Sequence, residues 1–442
     1  MRSRRGAAWT CRFANASVIA PVVAGLFFPQ CRELGLEVDY DCSPSVCRKI
    51  VRAGTKQASF EAASEDLLET GEIRISAERV RRLTERVGAE RVAERASQAA
   101  AFAALPLPER GKALLGQTIP DVACVQMDGG RLQIRDRQQP QRNDKHTFWR
   151  EFKAGCLWSM RSEPGTSDPC PQLPSHFVNA QRMQRLVREI KGFSGPEVRK
   201  PADEELDEPP IDERPKRPEP VARSVVATCS AADNFGPLLA AEAHARNFFA
   251  APRKAYVADG SETNWSIWRQ WFADFVPILD FIHAVTYVYA AAMAGASAEQ
   301  GWRAYAEWAH WLWSGDVDRV IAALELRLAE LGGAAEGIPE TSPAAIVAKS
   351  RTYFRNQRTR MNYPAYRQQG LPITSSYVES TVKQLNRRIK GTEKFWSLGA
   401  EALTTLTGDH LSDTPTLARF WRNRPLRLTG TRRPNPPAEV AA

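Results

Sequence analysis

The chain has 442 residues, of which 43% are apolar and 25% are charged. This composition is typical of a globular protein and excludes a wholly disordered chain, a collagen-like repeat and a disulfide-stabilised miniprotein. The 60 Lys and Arg residues outnumber the 51 Asp and Glu residues, and the formal net charge of +9 is weak evidence for a polyanionic partner. The eight cysteines form no CxxC pair, so we interpret them as reduced thiols that mostly pack in the interior.

The N-terminal segment combines three arginines with an apolar run over Ala16–Phe28, a pattern that is similar to a secretory leader. No small-x-small cleavage site follows it, and the run is shorter than the ~20 residues that span a bilayer. We therefore interpret residues 1–28 as an unplaced segment, either a buried stretch or the product of an upstream start codon, and expect no membrane association.

Three short helices are predicted next, each after a serine that can cap it. They cover Pro44–Ala53, Phe60–Glu69 and Ala77–Val87, with Gly54, Gly71 and Gly88 as stop signals. The third helix is rich in arginine (Arg79, Arg81, Arg82 and Arg86). Residues 29–118 therefore suit either a helix-turn-helix-like DNA-binding region or an ordinary helical bundle with a solvated basic face, and the pattern does not separate the two.

Strand-like patterns begin after residue 118. An apolar run over Val122–Met127 meets Asp128-Gly129-Gly130, and alternation follows over Leu132–Ile134, which predicts a β-hairpin whose turn begins at Asp128. A second strand is predicted within Phe148–Met160, and a helix over His176–Lys191.

Residues 195–224 form the clearest linker, because they contain seven prolines and nine acidic residues against six basic ones. Such a stretch buries too little apolar surface to fold alone. A buried strand over Arg253–Ala258 follows, closed by Asp259-Gly260, then a strand-like run over Phe275–Ile282 and a helix over Ala284–Ala294. Residues 298–331 are strongly helical, and their four tryptophans are interpreted as packing residues.

Three acidic residues are distinguished by position. Asp128 and Asp259 each follow an apolar strand and precede a glycine, and Glu379 lies in the first turns of a helix that Thr374 or Ser375 can cap. A single aspartate in such a place is most often a turn residue. Three carboxylates that converge at a sheet edge could hold two divalent cations ~3.5–4 Å apart.

The segment around Glu379 is strongly basic. Residues 349–433 contain 17 Lys or Arg and five Asp or Glu, a local net charge of +12, with tyrosines and other aromatic residues interleaved. A salt-bridged surface helix would resemble the Glu379 helix itself, but the basic and aromatic flanks favour binding to a phosphate backbone.

The three blocks Met127–Gly129, Val257–Gly260 and Thr374–Ser380 together resemble bacterial insertion-sequence transposases of the DDE type. The order Asp, Asp, helical insertion, Glu matches that family. The sequence Asp280-Phe281-Ile282-His283 is similar to the C/D-x-x-H signature of Mutator-like transposases. The resemblance covers about residues 30–425.

The resemblance implies an α/β fold: an RNase H-like catalytic core, with a mixed sheet flanked by helices, interrupted by an all-helical insertion and preceded by a small helical DNA-binding domain. The expected divisions after the N-terminal segment are 29–118 (DNA-binding), 119–194 and 225–294 (core halves, joined by the linker 195–224), 295–370 (insertion), 371–433 (catalytic Glu helix and basic region) and 434–442 (tail).

The resemblance also implies the chemistry. Asp128, Asp259 and Glu379 would be the catalytic residues and would hold two Mg²⁺ ions, with Mn²⁺ as a possible substitute, for cleavage of DNA at transposon ends and strand transfer into target DNA. Asp280 and His283 would be accessory residues of the active site. Double-stranded DNA (inverted-repeat ends and target), a homodimer or larger assembly, and a cytoplasmic, nucleoid-associated location in a bacterium complete these expectations. The expected DNA contacts are Lys383, Arg387, Arg388, Lys390, Lys394, Arg355, Arg358, Arg360, Arg79 and Arg82.

Two other functions stay open on the sequence. One is a non-catalytic helix-turn-helix regulator, which includes a transposase that has lost activity. The other is an RNase H-like nuclease that cleaves DNA without strand transfer.

Overall fold

A computed structural model describes residues 42–135, 147–193, 217–333, 337–391, 394–397 and 399–429. The predictions for residues 1–28, for the tail 434–442 and for most of the acidic linker lie outside these ranges. Within them, no helix is both long enough and apolar enough to cross a membrane.

The N-terminal helices begin where the sequence predicts, but all three predicted helices run further, the third by 16 residues to Ala103. They are α1 (Pro44–Lys56), α2 (Phe60–Gly71), α3 (Ala77–Ala103) and the short α4 (Leu107–Arg110). Ser43, Ser59 and Ser76 each accept a hydrogen bond from a backbone N–H of the first turn, which satisfies one of the donors left over at a helix start.

Gly54 and Gly88 lie inside α1 and α3, so their interpretation as stop signals is wrong. A Cβ at Gly54 would lie 2.3 Å from Thr84 Oγ1, and a Cβ at Gly88 would lie 2.6 Å from the Cβ of Ala402. These glycines let helices approach closely, a packing function that a local sequence pattern does not distinguish from a cap.

One sheet forms the centre of the molecule. Its strands are β1 (Val122–Arg135), β2 (Thr147–Arg161), β3 (Glu219–Thr228), β4 (Arg253–Ala258), β5 (Val276–Leu279) and the short β6 (Phe395–Trp396). The order is β3-β2-β1-β4-β5, with β1, β2 and β3 antiparallel, β4 and β5 parallel to β1, and β6 beside the end of β1. The sheet is therefore mixed, with β1 at its centre.

The predicted hairpin turn at Asp128 does not form, because β1 continues through it and pairs Asp128 with Ala154 of β2. A Cβ at Gly130 would lie 2.3 Å from the ring of Phe152, so this glycine makes room for a neighbouring strand. The true partner strand of β1 is β2, which confirms the strand predicted within Phe148–Met160.

Helices cover both faces of the sheet and extend beyond β5. They are α5 (Ala180–Lys191), α6 (Ala232–Ala245), α7 (Glu262–Trp271), α8 (Phe281–Met293), α9 (Ala298–Trp313), α10 (Val317–Glu330), α11 (Pro343–Gln357), α12 (Tyr363–Gln368), α13 (Ser376–Ile389), α14 (Ala400–His410) and α15 (Thr416–Thr429). Between β5 and α13 the described residues contain no strand, in agreement with the helical region predicted there.

Two boundaries differ from the sequence predictions. The linker predicted over 195–224 extends too far, since β3 already begins at Glu219. The strand-like run over Phe275–Ile282 ends as a strand at Leu279, because Asp280 then caps α8 through its side chain.

The apolar core of the described residues is divided into three clusters: a main one around the sheet, one at the N-terminal helices, and one between the sheet and the helices α13 and α14. The N-terminal cluster joins residues of α1, α2 and α3 to Leu406 of α14 and Phe420 of α15. The N-terminal helices therefore complete their core with C-terminal helices and are not an independent folding unit among the described residues. The tryptophans of α9 follow their prediction, with Trp308 and Trp313 buried in the main cluster.

Candidate active site

Asp128 in β1 and Asp259 at the end of β4 come from adjacent parallel strands. The β1–β4 ladder ends with Gln126 paired to Val257; Asp128 lies two residues further along β1, and Asp259 directly follows Ala258, the last residue of β4. Because side chains alternate along a strand, Asp128 shares its face of β1 with Gln126. The sheet thus brings together two carboxylates that are far apart in the sequence.

The carboxylate and backbone of Asp259 are held by α7 and α11. Its Oδ1 accepts hydrogen bonds from Asn264 Nδ2 (2.8 Å) and from the backbone N–H of Ser261 (3.0 Å). Its carbonyl oxygen accepts a hydrogen bond from the hydroxyl of Tyr353 (2.8 Å). Both of these donors reach Oδ1, and no hydrogen bond from the described residues reaches Oδ2.

Glu379 reaches the same place from α13. The start of this helix is tied to β1, since Gln126 Nε2 donates to the carbonyl of Thr374 (2.9 Å). The Oε1 atom of Glu379 is buried and has no hydrogen-bond partner among the described residues. A buried carboxylate oxygen without a donor is costly, and a bound cation would satisfy it.

Asp280 and His283 form a hydrogen-bonded pair beside Glu379. The two oxygens of Asp280 accept four hydrogen bonds: from the N–H of Ile282 (3.1 Å), the N–H and Oγ of Ser375 (3.1 and 2.7 Å) and Nδ1 of His283 (2.5 Å). Because this buried carboxylate is already saturated, we assign it a positioning function that joins the starts of α8 and α13.

The electrostatics link all five side chains of the site. Burial raises the pKa of Asp128, and Asp259 and Asp280 raise it further, while His283 opposes them. Burial likewise raises the pKa of Glu379, with Asp280 and Asp128 adding to it. Burial by itself lowers the pKa of His283, but Asp280, Asp259 and Glu379 outweigh it and raise that pKa to about 9. The site is therefore rich in mutually repelling negative charge.

Two groupings of these residues could hold a metal. Ligand atoms of Asp280, His283 and Glu379 lie within 4.8 Å of one another. Asp280 has no acceptor capacity left for an ion and His283 directs Nδ1 at it, so this grouping suits a cation poorly. Asp128, Asp259 and Glu379 do not come within that distance of one another, but Asp259 and Glu379 each repel Asp128. Glu379 Oε1 lies 4.0 Å from His283 Nδ1 and accepts no hydrogen bond from the described residues, so cations held by these three carboxylates would relieve the repulsion.

The predicted DNA contacts of α13 divide into exposed and internal residues. Lys383, Arg387 and Lys390 are exposed, and Lys383 pairs with Glu189 of α5 at 3.3 Å across the opening of the site. Lys394 donates to the carbonyls of Arg387 and Arg388, which caps the end of the helix.

Arg388 does not occupy the position expected of a DNA contact. It is buried, donates from Nε and Nη2 to the carbonyl of Gly54 in α1 (3.2 and 2.8 Å), and its guanidinium lies over the rings of Phe60 and Trp396. The basic residues along α13 predict a positively charged helix surface. Only the packing of α1 against α13 reveals that Arg388 faces the interior. We assign it to the core.

The other predicted basic residues lie on the helical region after β5 and on α3. Arg355 pairs with Glu325, and Arg358 pairs with Asp318 at 2.6 Å, both on the helical region after β5. Arg360 lies over the ring of Trp265 and donates to Gln357. Arg79 and Arg82 are exposed on one face of α3, and Arg82 pairs with Glu78 at 2.9 Å.

Three residues of the site have no motif that would identify them in the sequence. Gln126 and Asn264 position Thr374 and Asp259, and Lys191 at the end of α5 is an internal cation near Asp259. Asn264 carries a weak signal, since it lies in the first turn of a helix five residues after the aspartate that it binds. Gln126 is identified as a site residue only by the register of the sheet, and Lys191 only by the packing of α5.

Comparison with known proteins adds no relative: no protein-family model matches this sequence, and no curated protein is significantly similar to it.

Proposed function

We propose that this protein is a DNA transposase of the DDE type, which cleaves DNA at transposon ends and transfers the freed strand to target DNA. One observation carries the proposal: β1 and β4 align Asp128 with Asp259, and α13 brings Glu379 into electrostatic contact with Asp128. The sheet order, with three antiparallel strands followed by two parallel ones, supports an RNase H-like core. The helices between β5 and α13 would be the insertion.

The residues fit a pair of Mg²⁺ ions held by Asp128, Asp259 and Glu379, with Mn²⁺ as a substitute. When bound, such ions activate a water or hydroxyl nucleophile and stabilise the leaving oxygen of a phosphodiester. Other side chains position these carboxylates. Asn264 orients Asp259, and Ser375 and Asp280 fix the start of the helix that carries Glu379. His283 adds a positive charge that offsets part of the acidic repulsion.

Under this proposal, exposed cations on two helices would contact the DNA. Lys383, Arg387 and Lys390 lie on the helix of Glu379, and α3 presents Arg79 and Arg82 on its exposed face. Cations in such positions bind the phosphate backbone irrespective of sequence. Because two transposon ends must be held together, we propose that the active form is at least a homodimer on DNA, in the bacterial cytoplasm.

The test uses the full chain and a supercoiled plasmid that carries its gene with the flanking sequences. We expect nicking and double-strand cleavage with Mg²⁺ or Mn²⁺, none with EDTA, and joining of a labelled 3′ end to a second plasmid. Asp128→Asn, Asp259→Asn and Glu379→Gln should each lose cleavage by at least ~10³-fold while DNA binding persists. Asp274→Asn is the matched control, since Asp274 is exposed and pairs only with Lys254.

The outcomes separate the three functions. Cleavage without joining would indicate a nuclease. DNA binding with no cleavage by the wild type would indicate a regulator or an inactive transposase. Cleavage that survives in the Asp128 and Asp259 variants would contradict the proposed site.

A further inference from the structure

Lys191 is a cation that the proposed chemistry does not yet use. It is the last residue of α5, followed by Gly192 in the left-handed conformation. Its ammonium lies over the ring of Tyr287 in α8 and 5.9 Å from the ring of Tyr353 in α11. The side chain is half-buried, and among the described residues no carboxylate pairs with it. The side chain is thus held in one place, and the described part of the chain supplies no counter-ion for it.

A short chain of contacts connects this cation to the acidic site. The rings of Tyr287 and Tyr353 stack with centroids 3.7 Å apart and planes inclined by 14°. The hydroxyl of Tyr353 donates to the carbonyl of Asp259 at 2.8 Å. Lys191 therefore lies on the outer face of a two-ring stack whose other end supports a proposed catalytic residue.

The charges around Lys191 suit an anionic ligand. Burial lowers its pKa to about 7, Lys349 lowers it further, and Asp259 opposes them. Lys349 itself is exposed on α11 and forms no ion pair within the described part of the chain. Two neighbouring cations without a carboxylate between them repel each other, and a phosphate placed between them would relieve that repulsion.

A structural function alone explains less of this arrangement. A cation over a tyrosine ring gains roughly 0.5–2 kcal/mol, and a helix C-terminus favours a positive charge weakly. Neither contribution offsets the loss of hydration that lowers the pKa of Lys191, and a methionine would fill the same space without that loss. An anion that binds from outside would complete the site.

We propose that Lys191, with Lys349 beside it, binds a backbone phosphate of the DNA strand that enters the acidic site, next to the bond that is cleaved. The proposal rests on the proposed function, since it assigns to Lys191 a contact with the same substrate. The two lysines would place positive charge beside Asp259, in addition to the exposed cations of α13. Lys191 would hold the strand, and the carboxylates would hold the ions.

The first experiment detects the contact between Lys191 and DNA without measuring DNA cleavage. Pyridoxal 5′-phosphate combines a phosphate with an aldehyde, and borohydride fixes its adduct on lysine for peptide mass spectrometry. With the full chain in EDTA at pH 7.5, we expect labelling of Lys191 that a duplex carrying the flanking sequence reduces at least 5-fold. Lys254, which is also half-buried but pairs with Asp274 at 2.7 Å, is the control whose labelling DNA should not change.

The second experiment uses variants. Lys191→Met should keep the unfolding temperature within about 2 °C and reduce kcat/KM for plasmid cleavage by ~10- to 100-fold, mostly through KM, as expected for one charge-assisted contact. Lys191→Arg should restore cleavage to within about 3-fold.

Three results would overturn the proposal: equal labelling of Lys191 with and without bound DNA, absence of labelling while Lys254 reacts, or full cleavage by Lys191→Met. Failure of the proposed function looks different, because the wild type would then cleave nothing while the protection of Lys191 by DNA could still be read.

Discussion

The hydroxyl of Ser375 donates to Oδ2 of Asp280 at 2.7 Å, and its backbone N–H donates to Oδ1 at 3.1 Å. A helix-capping serine normally accepts a hydrogen bond from its own first turn, but this one donates instead to the residue that caps α8. The two helix starts that carry His283 and Glu379 are therefore joined by one carboxylate.

Replacement of Ser375 by alanine should disturb this junction. The buried Asp280 would lose one of its four donors, so we expect the free energy of unfolding to fall by about 1–3 kcal/mol. Cleavage should fall at the same time, because Glu379 lies one turn along the helix. Urea unfolding and plasmid cleavage measure the two effects.

The neighbouring exposed serine gives the control. Ser376→Ala should change the free energy of unfolding by less than about 0.5 kcal/mol. Equal behaviour of the two variants would show that the Ser375–Asp280 contact contributes nothing.

Mg²⁺ should stabilise the folded protein through the carboxylates that it binds. At ten times the dissociation constant, a ligand specific to the folded state adds about 1.4 kcal/mol. Thermal unfolding should therefore shift upward with Mg²⁺ in the wild type and much less in Glu379→Gln or Asp128→Asn. Without the ion, the same variants should be at least as stable as the wild type, because each removes a repelling charge.

The stability of these variants without Mg²⁺ distinguishes carboxylates that bind the ion from carboxylates that hold the fold together. If Glu379→Gln lowered stability by 2 kcal/mol or more in EDTA, the carboxylate would be a structural partner, and the site would need another assignment.

Arg387 and Arg388 are adjacent in the sequence but should respond differently to substitution. Arg388→Ala removes buried hydrogen bonds to the carbonyl of Gly54, so we expect a loss of about 2–4 kcal/mol in the free energy of unfolding. Arg387→Ala should leave stability within about 0.5 kcal/mol and lower the salt dependence of DNA binding by about one phosphate contact. Titrations of DNA binding at several salt concentrations provide the comparison, and a salt effect confined to Arg388→Ala would contradict it.

Gly88→Ala should destabilise the protein although alanine favours helices. The helix preference gains about 1 kcal/mol, but the new methyl group would meet Ala402 in α14, and overpacking costs about 1–3 kcal/mol. We expect a net loss in the free energy of unfolding. Gly111→Ala is the control, since nothing lies within 4 Å of a Cβ there. A gain in stability at Gly88 would show that α3 and α14 can separate at little cost.

His410 should make stability depend on mildly acidic pH. Burial lowers its pKa to about 4, with the positive charges of Lys56 and Arg52 adding to the effect. The unfolded chain, with a histidine pKa near 6.5, then binds more protons between pH 4 and 6.5, so the folded state loses up to about 3 kcal/mol as the pH falls through this range.

His410→Gln should flatten that part of the curve of unfolding free energy against pH. The exposed His310→Gln serves as the control. A curve for His410→Gln that kept the full decline would show that other groups cause it.

The local elements of this fold are largely accessible to sequence reasoning. Ser43, Ser59 and Ser76 begin helices as predicted, because a cap depends on residues within one turn. The buried strand over Arg253–Ala258 is confirmed to the residue, since the apolar run Ala255–Ala258 follows two basic residues and is closed by Asp-Gly. The sequence does not reveal which glycines make room for a residue from a distant segment of the chain.

The residues of the candidate site divide in the same way, into those with a local sequence signal and those that depend on a distant segment. The acidic positions follow from strand and helix patterns, but whether Asp128 ends a strand or continues one depends on Phe152, which only the paired strand supplies. The interior position of Arg388 depends on α1, more than 300 residues earlier in the chain. Residues whose function is to contact another segment have no local signature.

The shared core of the N-terminal and C-terminal helices has a consequence for the geometry of DNA binding. Arg388 attaches the end of α13 to α1, and Glu379 lies about 13 Å along the same helix. The N-terminal helices and the helix of the acidic site are therefore attached to each other. Under the proposed function, with α3 bound to DNA, the protein would act as a ruler on a duplex with about 10.5 base pairs per turn: the cleaved bond would lie a set number of base pairs from the site bound by α3.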